Sequence, residues 1–195
     1  LEGVEVSISD HGELLVRSPS AMSGYWKNPT LTSKTLDAEG WIHTGDVAKI
    51  EDSRLFITGR LTEILVLSNG EKANASLIEA EIKHDELFDQ VLIVGEGKPF
   101  LVAICTLDQE NWQAYAPQQG LDSEQPNSPE AAKAILVRIR NRLRDFPRHA
   151  QIRGIHLVQS PWTVTSGILT PTLKVKRRKV EQLLHKEILN LYAGH

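Results

Sequence analysis

The stretch that most constrains the fold is residues 58–82, where the hydrophobic pattern changes its period within a few residues. The apolar run at 64–67 is typical of a β-strand, and the Ser-Asn-Gly sequence at 68–70 is suited to a tight two-residue hairpin turn. Beyond the turn, residues 77–82 carry apolar side chains at helical spacing, and Ser76 is a suitable helix cap. The stretch therefore predicts a strand, a turn and a helix in direct succession.

Residues 1–58 have a β-rich pattern. Residues 4–8 and 13–18 are expected to pair as a hairpin, which cannot close a hydrophobic core by itself. Thr30 is predicted to cap a short helix at 31–36. This part of the chain therefore has the character of the end of a larger domain.

The remainder of the chain mixes helical and strand patterns and predicts an α+β fold with a three-stranded sheet and flanking helices. The expected elements are a helix at 76–86, strands at 90–95 and 100–107 that pair as a hairpin, a loop at 115–129, a helix from Ser128 or Pro129 to Pro147, a strand at 152–158 and a terminal helix to Leu191. In the helix after Ser128, apolar residues at 135, 139 and 143 should face inward and the arginines at 138, 140, 142 and 144 outward.

The composition is that of an ordinary globular protein, but the charge is unevenly distributed. Residues 133–195 carry 13 of the 22 Lys and Arg residues and only 3 of the 25 Asp and Glu residues. This pattern fits solvated basic helices, or a surface for an anionic ligand, a nucleic acid or an anionic membrane. Aromatic residues are sparse there, so base stacking is not expected and no nucleic-acid partner is predicted.

Several simple features bear on the protein's environment. The single cysteine, Cys105, lies in an apolar run and is expected to be a buried hydrophobic residue. No apolar segment approaches the ~20 residues that span a bilayer, and the N-terminus has no signal-peptide character. A cytoplasmic location is expected, with a peripheral membrane contact as the alternative, and the absence of an initiating Met favours a piece of a longer chain.

The string G-W-I-H-T-G-D at 40–46 has a chemical interpretation of its own. A carboxylate held on a glycine turn can accept two hydrogen bonds from a vicinal diol, which is how proteins commonly hold a ribose, and Asp46 is placed for this task. Arg60 has fixed donors that suit a second ribose or phosphate contact. The alternatives are a surface turn at Asp46 and a surface ion pair at Arg60.

The string L-T-P-T-L-K-V-K-R-R at 169–178 places lysines in a basic cluster ahead of the terminal helix. Phosphoryl-type chemistry needs a mobile cation to neutralise the charge that develops on an α-phosphate and a reacting carboxylate, and a lysine on a loop suits that task. A lysine in such a cluster is otherwise a solvated charge.

Together these strings resemble those of the AMP-forming acyl-CoA synthetases, within the adenylate-forming enzyme superfamily. The carrying motifs are G-R-x-x-E-I-x-V-L-S-N-G-E-K followed by I-E-A-E-I, G-E-L-L-V-R-S-P, G-Y-W-K-N-P and G-W-I-H-T-G-D. The run from F-P-R-H-A-Q-I-R to T-P-T-L-K-V-K-R-R is particularly similar to the long-chain fatty acyl-CoA synthetases. The resemblance implies the C-terminal portion of the large AMP-binding domain at 1–60 and the small mobile domain at 61–195.

The resemblance also implies roles for individual residues. It assigns Lys174 as the catalytic lysine of adenylation, Asp46 and Arg60 to the ATP ribose, and Thr62 to the hinge. The loop that lines the path of the CoA thiol would consist of Ser68, Asn69, Gly70, Glu71 and Lys72. Two positions depart from the family pattern: Thr62 stands where Asp or Lys is usual, and Leu173 stands where many relatives have Gly.

The implied function is that of a fatty acid–CoA ligase. The parent enzyme would activate a fatty acid with ATP to acyl-AMP and then transfer the acyl group to CoA, with Mg²⁺ arriving on ATP and no metal site in the protein. The phosphate loop, the adenine-binding segment and the acyl pocket of such enzymes have no counterpart in the sequence, so this chain alone is expected to be inactive.

Two other functions remain open at this point. One is a sister ligase that passes the acyl group from acyl-AMP to a carrier protein. The other is a non-catalytic module that binds a nucleotide or another anion through its basic part.

Overall fold

Residues 2–193 are described by the computed structural model, and the chain divides between Ile64 and Leu65 into two compact units. The first unit consists mainly of β-strands, whereas the second contains both helices and strands. The predicted α+β class is therefore confirmed.

The first unit is built on an antiparallel sheet of four strands in the order β1-β2-β3-β4. Its elements are β1 (Glu5–Ile8), β2 (Glu13–Arg17), α1 (Pro29–Thr35), β3 (Ile42–Glu51) and β4 (Arg54–Arg60). Strands β1 and β2 form the expected hairpin. Among the described residues of this unit, only Leu14 and Ala48 are buried hydrophobic side chains.

Helix α1 begins earlier than the sequence predicts. Asn28, not Thr30, is its cap, because the Asn28 side chain accepts a hydrogen bond from the Leu31 N–H at 3.0 Å. Pro29 occupies the first helical position, where its missing N–H costs no hydrogen bond and its fixed φ suits the helix. The prediction overlooked this Asn-Pro start.

The second unit contains a three-stranded sheet in the order β7-β8-β9 and a separate two-stranded sheet of β5 and β6. Its elements are β5 (Ile64–Val66), β6 (Lys72–Asn74), α2 (Ala75–Lys83), β7 (Phe88–Val94), β8 (Leu101–Leu107), α3 (Gln109–Gln118), α4 (Pro129–Arg142), β9 (Ile152–Leu157), α5 (Arg177–Leu183) and α6 (His185–Ala193). Strands β7 and β8 are antiparallel, as predicted, and β9 runs parallel to β8.

Alternating side chains of the three-stranded sheet divide the interior of the second unit into two cores. Ile93 and Leu101 face the first core, which also contains residues of α2, α3 and α4. Leu92 and Val102 face the second core, together with residues from α5, α6 and the segment after β9. Cys105 is fully buried in the first core, and this burial raises the pKa of its thiol well above the ordinary range.

Two helices on the first core differ from the prediction. Helix α2 is capped by Asn74 rather than Ser76, and it ends at Lys83 rather than Glu86. Helix α3 lies partly in the stretch predicted to be a loop. Its Gln-rich composition hides an apolar stripe, since Trp112 and Ala116 are one helical turn apart and both are buried.

Helix α4 begins after its cap Ser128, as predicted, and its three inward-facing apolar residues at 135, 139 and 143 are fully buried. The arginines expected to face outward are only partly exposed at 138 and 142, where each side chain retains 38% exposure. Each forms an ion pair with an acidic residue at or just after α2: Arg138 with Asp85 and Arg142 with Glu81. Part of the positive charge of the basic third is thus paired with carboxylates at the partly exposed surface of the unit and is not freely solvated.

The predicted terminal helix is two helices. Helix α5 ends at Leu183, its cap Leu184 leaves the helical conformation, and α6 begins at His185. Val180 of α5 and Ile188 of α6 are both buried in the second core. The break therefore allows both short helices to place an apolar residue against the sheet.

Candidate functional site

Asp46 and Arg60 face each other across two neighbouring strands. Asp46 lies in β3 and Arg60 is the last residue of β4, and they are directly opposed in the pairing register. Arg60 Nε donates to Asp46 Oδ1 at 2.9 Å. Asp46 therefore lies within a strand rather than on the predicted glycine turn, and with Arg60 it forms the surface ion pair that was the alternative prediction for that arginine.

The strand is irregular at Asp46, however, and this irregularity presents the carboxylate. Residues 13–15 of β2 oppose residues 43–47 of β3, and Gly45 has a φ of +72°, a left-handed conformation that favours glycine. The Thr44 hydroxyl donates to the Leu14 C=O at 2.8 Å and accepts from the Asp46 N–H at 3.1 Å. The bulge is thus fixed by hydrogen bonds.

Glu13 holds the other side of the bulge and was not predicted as a site residue. Its side chain is only 12% exposed, and its Oε1 accepts from the Gly45 N–H at 2.9 Å. Its Oε2 lies 2.9 Å from His43 Nδ1, and this hydrogen bond raises the pKa of His43. The available sequence signal was an acidic residue at the start of a strand pattern, where burial needs a partner.

Thr62, the predicted hinge residue, is exposed in a single 3₁₀ turn formed by Leu61–Glu63. This turn lies directly before the division between the two units.

The loop at 68–72 follows β5 and ends at Lys72, the first residue of β6, and it is wider than the predicted two-residue turn. Leu67 N–H donates to the Glu71 C=O and Gly70 N–H donates to the Leu67 C=O, both at 2.9 Å. Gly70 has a φ of +85°, as a turn glycine should, and an added Cβ would meet open space. All five side-chain positions of the loop are exposed, while Leu67 at its base is buried in the first core.

A basic recess adjoins this loop. The cavity has a volume of about 220 Å³, and its walls include Asn69 of the loop together with Arg148, His149 and Arg153. The Arg153 guanidinium lies 5.5 Å from the centre of the Phe100 ring, which holds it at the wall. The recess also contains the Glu71 carboxylate, 3.5 Å from His149 Nδ1, so it combines two arginines and a His–Glu contact with an apolar base beside the loop.

Lys174 is exposed on a second short hairpin, formed by residues 169–175 and called here the Lys174 hairpin. A bridge between Leu169 and Val175 closes it, and the Thr170 N–H donates to the Lys174 C=O at 2.8 Å. Leu173 has a φ of +60°, a conformation that favours Gly. This explains physically why the position suits the glycine that the resemblance places there in many relatives.

The 68–72 loop and the Lys174 hairpin are anchored at their bases in the cores on opposite faces of the three-stranded sheet. Leu67, at the base of the loop, belongs to the core on one face of the three-stranded sheet. Leu169, at the base of the hairpin, is buried in the core on the other face. The structure thus brings Asp46 and Arg60 together within the first unit, but it separates the two predicted active segments of the second unit.

Among residues 2–193, no group of three His, Cys, Asp or Glu residues is arranged to hold a metal ion. Within the same residues, the longest apolar helices fall short of what a membrane crossing requires.

Comparison with known proteins identifies the family. Residues 62–195 match the family model described as the AMP-binding enzyme C-terminal domain, which is more than half of the chain. The chain belongs to this AMP-binding enzyme family. The resemblance found in the sequence motifs is therefore confirmed.

Members of the family that are similar to this chain include fatty acid–CoA ligases. Long-chain-fatty-acid–CoA ligase FadD15 of Mycobacterium tuberculosis is 31% identical over 196 residues, covering 97% of this chain and 32% of the relative. Human long-chain-fatty-acid–CoA ligase 6 is 32% identical over 189 residues, covering 93% and 27%. The chain therefore spans about a third or less of the length of these curated relatives.

Solved structures of adenylate-forming enzymes share the fold of this family member. The A domain of carboxylic acid reductase from Segniliparus rugosus matches with a TM-score of 0.79 and 23% identity, covering 100% of this chain and 29% of that one. Amide bond synthetase McbA from Marinactinospora thermotolerans matches with a TM-score of 0.62 and 25% identity, covering 94% and 35%.

Proposed function

We propose that this chain is the C-terminal part of an AMP-forming long-chain fatty acid–CoA ligase. Residues 1–60 would complete the large AMP-binding domain, and residues 61–195 would form a small domain that moves about Thr62. The family membership and the ligases among its relatives support this proposal. The small share of those relatives that the chain covers supports a larger parent enzyme.

The exposed apolar side chains of the first unit support the same proposal. Its sheet and loops leave large hydrophobic side chains in solvent, including Trp26 at 88% exposure and Ile57 at 56%. Apolar side chains exposed on this scale are typical of a surface that another part of a protein covers. In the proposed parent enzyme, the preceding part of the large domain covers this surface, and the chain alone has no activity.

The observation that carries the proposed function is the separation of the two active segments onto opposite faces of one sheet. A ligase of this kind performs two reactions at one site, and a small domain with a different active segment on each face can serve both by turning. Rearrangement about a hinge around bound ligands is a common mechanism of this type.

In the first reaction, a carboxylate oxygen of the fatty acid attacks the α-phosphorus of ATP, and pyrophosphate leaves as acyl-AMP forms. Asp46 holds the ribose through its carboxylate, which has acceptor capacity beyond its bond with Arg60. Arg60 orients that carboxylate and contributes a second donor to the nucleotide. Lys174 places its ammonium group beside the reacting oxygens and stabilises their negative charge.

In the second reaction, the thiol sulfur of CoA attacks the acyl carbon, loses its proton, and AMP leaves. The five residues at 68–72 line the path of the thiol, where the absence of a side chain at Gly70 leaves room. The basic recess beside the loop provides cations for the phosphates of CoA. Mg²⁺ arrives with ATP, and the small domain supplies none of its ligands.

The test is to measure the two reactions separately in the parent enzyme. Lys174→Ala should reduce pyrophosphate release at least about a hundredfold, the scale seen when one transition-state contact is removed. It should leave thioester formation from pre-made acyl-AMP and CoA within about threefold of wild type, because Lys174 contacts the reacting groups in the first reaction only.

A large charged residue at position 70 should do the reverse. Gly70→Glu places a side chain in the thiol path and should slow thioester formation while sparing pyrophosphate release. Gly120→Glu is the matched control, since Gly120 also has a left-handed φ, of +67°, and open space around its Cβ position. Equal loss of both reactions in both active-segment variants would refute the two-orientation proposal. Transfer to a carrier protein but not to CoA would identify the sister ligase instead.

A further inference from the structure

One member of the basic cluster around Lys174 points inward. Lys174, Lys176 and Arg178 are exposed, whereas the Arg177 side chain is only 24% exposed. Arg177 is the first residue of α5, and the Lys176 cap before it makes no side-chain capping bond. The inward orientation of the Arg177 side chain is therefore due to a contact with another part of the second unit.

That contact is with the free edge of the three-stranded sheet. Arg177 Nη1 donates to the Ile93 C=O at 2.7 Å, and Nη2 donates to Glu79 Oε1 at 2.8 Å. The same Glu79 oxygen accepts from the Ile93 N–H at 2.8 Å. Arg177 and Glu79 thus satisfy both backbone groups of Ile93, which would otherwise be unpaired on the edge strand β7.

This arrangement joins the Lys174 hairpin to the rest of the unit. Arg177 follows Lys174 by three residues, and the intervening Lys176 N–H donates to the Ile168 C=O at 2.8 Å, directly below the Leu169–Val175 bridge. Glu79 is in α2, which follows the 68–72 loop. The base of the hairpin is therefore bonded to the helix that continues from the other active segment.

We propose that Arg177, held by Glu79 and the Ile93 backbone, is a positioning residue that fixes the Lys174 hairpin for acyl-AMP formation. This inference rests on the proposed function of Lys174. The guanidinium makes two directed bonds at once, so it restrains both the position and the orientation of the hairpin base. A lysine at 177 has no planar fork and cannot reproduce both bonds.

The catalytic consequence follows from the geometry that adenylation needs. Lys174 itself is exposed, so the position of its ammonium group depends on the backbone that carries it. A misplacement of about 1 Å at a reacting group costs up to about a hundredfold in rate. Loss of the Arg177 bonds should therefore slow the step that uses Lys174 and spare the step that uses the loop on the opposite face.

The experiment compares Arg177→Ala, Arg177→Lys and Glu79→Gln in the parent enzyme with Lys174→Ala. Arg177→Ala should slow pyrophosphate release by about 10- to 100-fold, with thioester formation from pre-made acyl-AMP within about threefold of wild type. Arg177→Lys should give a rate of pyrophosphate release between those of Arg177→Ala and the wild type. Arg178→Ala removes an adjacent exposed arginine and is the matched control, expected to behave as wild type.

A second measurement uses the 195-residue chain itself. Amide hydrogen exchange of Thr170 and Lys174, whose N–H groups are both bonded inside the hairpin, should accelerate about tenfold or more in Arg177→Ala. The amide of Ala103 in β8 should keep its protection. A purely structural role would instead accelerate exchange in both places and lower both reactions equally, which would overturn the inference.

The remaining outcomes are also decisive. If Lys174→Ala abolishes pyrophosphate release while Arg177→Ala matches wild type, the positioning role is wrong and the proposed function stands. If Lys174→Ala has no effect, the proposed function fails and the positioning role fails with it. Should Arg177→Ala not fold, Glu79→Gln carries the same test, because it retains a carbonyl for the Ile93 N–H but removes the charge that holds Arg177.

Discussion

The ribose site provides the sharpest single test of the first unit, through replacement of Asp46 by alanine in the parent enzyme. The variant removes a carboxylate that accepts one bond from Arg60 and, by the proposed function, further bonds from the ribose hydroxyls. A hydrogen bond to a charged group contributes about 1.5–3 kcal/mol. At 1.4 kcal/mol for each factor of ten, the dissociation constant for ATP should rise by about 10- to 150-fold.

The same change should hardly affect folding. The Arg60 side chain is 60% exposed, so solvent screens its ion pair with Asp46, and pairs of this kind contribute less than about 1 kcal/mol. Asp46→Asn keeps one acceptor oxygen and should give a smaller rise. Asp10→Ala removes an exposed carboxylate of the β1–β2 turn and is the control for loss of charge.

The assay is the dependence of pyrophosphate release on ATP concentration, combined with thermal unfolding of each variant. A large rise in the half-saturating ATP concentration, with unchanged unfolding, is the expected result. Wild-type ATP dependence in Asp46→Ala would refute the ribose assignment. A loss of thermal stability that matched the loss of activity would show instead that Asp46 acts through the fold of the bulge.

Three further predictions concern the second unit. Burial alone would raise the pKa of Asp85, but its hydrogen bonds with Arg138 and a backbone N–H lower that pKa. The ionised Asp85 therefore stabilises the fold above its unfolded-state pKa, and this stabilisation is lost as the pH falls through its folded-state pKa. Arg138→Met should therefore cost about 1–2 kcal/mol at neutral pH, after allowance for screening of the partly exposed arginine, and should flatten the acid limb of stability in urea titrations. Ile139→Ala should cost about 2–5 kcal/mol by opening a cavity in the core, whereas Val137→Ala, at a 48% exposed site, should stay within about 0.5 kcal/mol in the same titrations. Arg153→Ala should weaken CoA binding about fivefold in calorimetry, equivalent to about 1 kcal/mol for an exposed charge contact, and unchanged CoA affinity would separate the basic recess from the CoA step.

Local patterns in the sequence predicted much of the second unit. The amphipathic spacing of α4, its Ser128 cap and the paired strands β7 and β8 were all evident from residues close together in the chain. These features depend on side-chain periodicity and on backbone preferences of single residues. Helix α3 was missed because this kind of prediction depends on local composition: its polar, Gln-rich sequence indicated a loop, and its apolar stripe is narrow.

The sequence motifs also located the predicted site residues, but their geometry could not be predicted from them. The motif around Asp46 indicated a glycine turn, whereas the structure has a bulge in a strand that is held by Glu13 from a neighbouring strand. The basic cluster gave no sign that Arg177 differs from Lys176 or Arg178. In each case the deciding partner is distant in sequence.

What the sequence by itself determined, then, is the order of most elements, the family and the positions of the candidate residues, because each depends on short motifs and local periodicity. The tertiary structure decided which way the side chains point and which faces they share. Arg177 bonds to residues 84 and 98 positions away, and those bonds exist only once β7 has paired and left its outer edge open. Leu67 below the 68–72 loop and Leu169 below Lys174 pack into different cores for a related reason, since the two faces that carry these cores exist only after the sheet has formed.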